Sequence, residues 1–210
     1  MELFCYSVLE MTTDTYKTIE APTVGLYKDK GSKFLAFAYA VGSEEEVKER
    51  IATLKKSHHD ARHYVSAFCL AGAKGFCRCS DDGEPSNSGG PPVLGMIQSR
   101  GLKNVLVVVV RYFGGTKLGV PGLIAAYKGA AQEALGRAEI VEVVEKEIFE
   151  VRFVYQAMGE IMRAVKEEGL VVVEQDFAEA CRLRLAVRMR DREEVRRRFA
   201  EMRNNEWRAC

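Results

Sequence analysis

The sequence predicts an α+β protein of two small domains, and three features carry that expectation. Val105–Val110 is an unbroken apolar run of strand length, the pattern of a central strand buried on both faces. Leu123, Tyr127, Ala130 and Ala134 then recur at helical spacing, with Gly136 as a stop. Beyond Ile140 the pattern reads strand (Ile148–Tyr155), helix (Glu160–Glu168, stopped by Gly169), strand (Leu170–Gln175), strand (Cys181–Arg188) and helix (Asp191–Arg203). That is a ferredoxin-like β-α-β-β-α order, and Asn204 to Cys210 is barely long enough to add the last strand. The boundary falls near residue 138, giving domains over 21–138 and 139–210.

The segment before Ala21 is polar and poorly patterned and reads as an N-terminal extension, 1–20, with Met11 as an alternative start. Thr23–Tyr27 and Lys33–Val41 flank a charged, glycine-containing turn and form a hairpin. Ser43 and Glu46 make a capping box for a helix whose apolar stripe is Val47, Ile51 and Leu54. Strands over Tyr64–Leu70 and Phe76–Ser80 and a short helix near Val93–Ser99 complete the first domain.

Composition is that of a globular chain, 47% hydrophobic and 29% charged. With 31 basic and 30 acidic residues the net charge is +1, which excludes a generally basic nucleic-acid coat and leaves room for a local patch. No apolar run approaches the roughly 20 residues that span a bilayer, and Met1–Leu9 lacks the basic start of a signal peptide. The expected location is cytoplasmic, with no membrane partner. The six cysteines contain no C-x-x-C pair, and Cys77 and Cys79 share one face of a strand, so buried reduced thiols are expected.

Chemistry concentrates in Arg111-Tyr112-Phe113-Gly114-Gly115-Thr116-Lys117-Leu118-Gly119-Val120-Pro121-Gly122. This stretch leaves the end of a buried strand and enters a helix N-terminus, where free N–H groups and the helix dipole favour an anion. Lys117 and Arg111 add charge, and Tyr112 and Phe113 offer surfaces on which a base can stack. The glycine spacing matches neither a Walker loop nor G-x-G-x-x-G. A tight turn with core aromatics is the simpler alternative, although four glycines exceed what a turn requires.

A second element, Asp81-Asp82-Gly83-Glu84-Pro85-Ser86, could hold Mg²⁺ or ribose hydroxyls, or be a turn whose Asp and Ser residues cap the next helix. His58, His59 and His63 straddle a helix end, so a surface cluster outweighs a metal site. Arg196-Arg197-Arg198 resembles a nucleic-acid patch, yet Glu193–Arg197 and Glu194–Arg198 are i, i+4 pairs on a helix with the buried stripe Val195, Phe199 and Met202.

Together, DDGEPS at 81–86 and VVVVRYFGGTKLG at 107–119 resemble the IMPACT/YigZ family, with supporting pieces at Gly31–Phe34 and His58–His63. The likeness runs from about Tyr16 to Leu135. It implies an N-terminal split β-α-β domain similar to domain IV of elongation factor G, and a second domain similar to its domain V. Binding of RNA or the ribosome, in translation or its regulation, is what such a resemblance implies. Two departures stand out: His59 replaces a proline of the family's H-P-x-A-x-H pattern, and Asn87-Ser88-Gly89-Gly90 replaces Gly-Thr-Ala-Gly.

The expected ligand site comprises Arg111, Tyr112, Phe113, Gly114, Gly115, Lys117, Gly119, Asp81, Asp82, Glu84, Ser86, His58 and His63. Its expected ligand is an RNA or nucleotide phosphate. The alternative is a Mg²⁺-assisted enzyme acting on a small phosphorylated or nucleotide substrate, with Asp81, Asp82 or Glu84 as base and His58 or His63 assisting. No cofactor, DNA-reading motif or oligomeric state is specified by the residues.

Overall fold

The computed structural model describes residues 14–72, 75–177, 181–202 and 205–209. The chain divides into two units, Tyr16–Val143 and a second made of Val144–Cys210 with Met1–Thr15. The fold is α+β, as the sequence predicts.

In the first unit the hairpin strands are β2 (Thr23–Asp29) and β3 (Ser32–Ala40). Lys30 and Gly31 join them at φ +44° and +80°, a two-residue turn whose twist matches that of the strands. Helix α1 (Glu44–Ser57) opens on the expected box, Ser43 Oγ accepting the Glu46 N–H at 3.2 Å. The Glu46 carboxylate reaches back one residue further than the motif requires, to the Gly42 N–H at 2.8 Å.

Strands β4 (His63–Cys69), β5 (Cys77–Ser80) and β6 (Val105–Tyr112) complete a five-stranded sheet in the order β2-β3-β6-β4-β5. β6 runs antiparallel to both β3 and β4. Those two are therefore parallel, joined through α1 with β6 between them, which is a split β-α-β arrangement. Helices α2 (Gly90–Ser99) and α3 (Gly119–Gly136) cover one face, where Val105, Val107 and Val109 pack with Ile97, Leu123 and Tyr127. On the other face Leu106, Val108 and Val110 meet Val47 and Leu54 of α1. The β6 run is buried on both sides because helices lie on both sides, and each such side chain contributes about 1.5–3 kcal/mol.

Thr15–Ile19, read from sequence as part of an extension, is strand β1, paired with β7 (Ile140–Val144). Asp14 is buried in an ion pair with Arg188 at 2.7 Å. Residues 1–13 lie outside the described residues.

The second unit holds β8 (Lys146–Phe153), α4 (Met158–Glu167), β9 (Val171–Phe177), β10 (Cys181–Arg188), α5 (Arg192–Glu201) and β11 (Asn205–Ala209). The sheet order is β11-β8-β10-β9, so the short tail does supply the fourth strand, pairing along β8 from Asn205↔Phe153 to Ala209↔Phe149. Val195 and Phe199 are buried as expected. Arg198 pairs with Glu167 and Glu168 at the end of α4 instead of the expected Glu194, because the packing brings those carboxylates to it.

Two cysteines depart from expectation. Cys69 and Cys77 are joined as a disulfide, since the β4–β5 register places them directly opposite one another; residue spacing carries no register. Cys79 is a free, exposed thiol and Cys181 a buried one. Cys5 and Cys210 lie outside the described residues.

Candidate functional site

β6 ends at Tyr112 and α3 begins at Gly119, so the glycine-rich stretch is shorter than the sequence suggests. Gly114 packs on the hairpin turn: a Cβ there would lie 1.9 Å from the Gly31 carbonyl carbon and 2.1 Å from the Ser32 nitrogen. Its N–H donates to Ser32 Oγ at 3.1 Å. Gly115 and Gly119 take φ +88° and +71°, so local geometry requires each of these glycines.

The loop and the start of α3 border a cleft of about 490 Å³. Arg62, His63, Glu84, Arg111, Phe113 and Lys117 contribute its polar and aromatic groups, with Pro85, Leu118, Val120 and Leu123 as apolar walls and Gly119 at the helix start. No side chain caps α3, so its leading N–H groups face outward from the helix without a capping acceptor. Phe113 is 56% exposed.

The floor of the cleft is a buried ionic cluster. Glu84, with a side chain only 3% exposed, accepts from Arg111 Nη1 at 2.5 Å and from Tyr127 Oη at 2.6 Å. Burial, then the adjoining Glu84 carboxylate, push the Tyr127 phenol far above its ordinary range, so it remains a donor. The Arg111 guanidinium lies 5.5 Å from the Phe34 ring centre and 5.7 Å from that of Phe113. Its Nε is buried with no hydrogen-bond partner among the described residues. An orphaned buried donor of this kind costs roughly 1–3 kcal/mol.

His63 stands opposite Arg111 in the β4–β6 register, which puts both on the cleft face. Its Nδ1 donates to the Asp82 carbonyl at 2.9 Å, since a carbonyl oxygen only accepts.

The remaining expected residues are not gathered here. Asp81 accepts the N–H groups of Asn87, Gly89 and Gly90, each at 2.8 Å, tying the turn to the start of α2. Burial raises its pKa, but those three bonds more than offset this and hold the carboxyl below the ordinary value of 3.8. Asp82 accepts the Tyr64 N–H at 2.7 Å and lies 3.7 Å from Lys55. Ser86 is exposed and does not line the cleft. Tyr112 projects to the opposite sheet face, where its hydroxyl meets His58 Nδ1 at 2.7 Å. Burial, then Asp60, raise the Tyr112 pKa.

Among the described residues, no group of three His, Cys, Asp or Glu is arranged to hold a metal. Arg62 and Tyr127 are the two site residues that sequence reasoning missed. For Tyr127 a signal existed, because a tyrosine in a buried helical stripe needs a partner for its hydroxyl.

The Impact N-terminal domain model matches residues 30–135. IMPACT family member YvyE of Bacillus subtilis is 35% identical over 70% of this chain and 68% of its own. The chain belongs to the IMPACT family. A crystal structure described as that of a hypothetical protein is 25% identical, covers 93% of this chain and 97% of its own, and superposes with a TM-score of 0.70. A two-domain translational regulator, Yih1, is 30% identical over 58% of this chain and 47% of its own, with a TM-score of 0.37.

Two outcomes are expected. Glu84→Gln leaves Arg111 buried without its counter-charge and destabilises by about 3–5 kcal/mol in urea unfolding, whereas Glu84→Leu combined with Arg111→Met costs markedly less than the two singles summed. Additive costs would show that the pair is not coupled. Because the folded-state pKa of Asp81 is depressed, its stabilisation is complete above pH 3.8 and fades as pH falls through the lower folded value. Asp81→Asn should therefore be less stable than wild type at neutral pH, the gap closing in strong acid; a gap independent of pH would contradict this.

Proposed function

We propose that the protein binds RNA through a nucleotide seated in this cleft, in the service of translation or its regulation. The observation that carries the reading is a cleft in which Arg111, Arg62 and Lys117 meet an uncapped helix N-terminus. The helix N-terminus supplies donors that an anionic oxygen would complete, and the cations favour its charge. Lys117 and Arg62 add charge at the rim, and the open face of Phe113 takes the base. The role in translation follows the family resemblance to elongation-factor domains.

The rival reading, a Mg²⁺-assisted enzyme, needs carboxylates to spare. Asp81, Asp82 and Glu84 are each engaged by protein donors instead.

Lys117→Ala should weaken binding of single-stranded RNA and lower the salt slope by about 0.7, one phosphate contact. Phe113→Ala should cost roughly 1–3 kcal/mol with the slope unchanged. Equilibrium titrations at several salt concentrations measure both; affinities and slopes equal to wild type in both variants would refute the reading.

A further inference from the structure

We infer that the binding surface continues around the end of the sheet, so that its ligand is a single-stranded RNA several nucleotides long and not a free nucleotide. This rests on the cleft reading above and extends it.

The first observation is a charge arrangement that the fold itself does not need. Lys28 and Lys33 stand directly opposite each other across β2 and β3, both exposed. Like charges in that position destabilise a hairpin. Neither lysine forms an ion pair among the described residues. Lys30, also exposed, adds a third cation at the turn. A lysine on an edge strand deters unwanted pairing, which accounts for Lys28. It does not account for Lys33, whose strand lies inside the sheet.

The second observation is continuity with the cleft. The hairpin turn and the strand end that carries Phe113 are in backbone contact at Gly31 and Gly114. In the β3–β6 register Phe34 pairs with Arg111, and Lys33 with Tyr112. Alternation along a strand sends neighbouring residues to opposite faces. Arg111 therefore faces the cleft, Tyr112 faces the other side beside Lys33, and Phe113 sits exposed at the strand end. The Tyr112 hydroxyl is bonded by His58 and also meets Asp60, so the ring is held in place.

A continuous track results. It runs from Lys117 and Arg62 at the cleft, over Phe113, to Tyr112, Lys33 and Lys28. Cations flanking aromatic rings are the arrangement by which single strands are bound, phosphates by charge and bases by stacking.

The test compares pentauridylate with uridine monophosphate, for wild type, Lys117→Ala and the double variant Lys28→Ala/Lys33→Ala, across a salt series. Removing two exposed like charges leaves the fold intact, which thermal melting checks. The double variant should bind pentauridylate more weakly, its salt slope falling by about 1.4 for two lost phosphate contacts, while monophosphate affinity stays at the wild-type value. If the double variant binds pentauridylate with wild-type affinity and slope while Lys117→Ala weakens both ligands, the extension fails and the cleft reading survives. An equal loss for both ligands in the double variant also overturns the extension, since the lysines would then act through the cleft. If wild type binds neither ligand, both readings fall together.

Discussion

The carboxylate of Glu84 is removed from water, and the arrangement of the site depends on how it is compensated. Arg111 and Tyr127 both bond its Oε1. The three residues come from the turn after β5, the end of β6 and the middle of α3, so one buried cluster fixes three elements against each other. Desolvating a carboxylate and a guanidinium costs several kcal/mol per ion, and the pair persists only with good geometry and further hydrogen bonds. The tyrosine supplies one of these. Among the described residues, nothing supplies a bond to Arg111 Nε, so the compensation of the guanidinium is incomplete.

The same cluster separates structural from ligand-facing roles among the charged residues. Asp81 is consumed by the backbone of its own turn, Asp82 by the β4 backbone, and Glu84 by the cluster. The acidic turn thus builds the cleft without supplying ligand groups to it. Lys117, Arg62, Phe113 and the start of α3 also line the cleft. The glycines follow a similar logic: Gly114 exists to let the strand end touch the hairpin turn, and that contact joins the cleft to the lysines beyond it.

Much of this was legible in the residues. An unbroken apolar run marked β6, a capping box marked α1, and the order of elements gave the ferredoxin-like domain. Local pattern ended where register began. The opposition of Cys69 to Cys77 and the sending of Tyr112 to the face opposite Arg111 are decided by strand pairing across distant segments. β1 and β11 were obscure because short strands gain their stability from pairing and carry little signal of their own. Glu84 was visible as an acidic residue, but its burial depends on Tyr127 arriving from 43 positions away.

The most direct test of the central claim is a crystal structure of the protein with pentauridylate. The expected density places a phosphate at the α3 N-terminus near Lys117 and a base against Phe113. An oligonucleotide bound elsewhere on the protein, with the cleft empty and Arg111 still covered, would contradict the account.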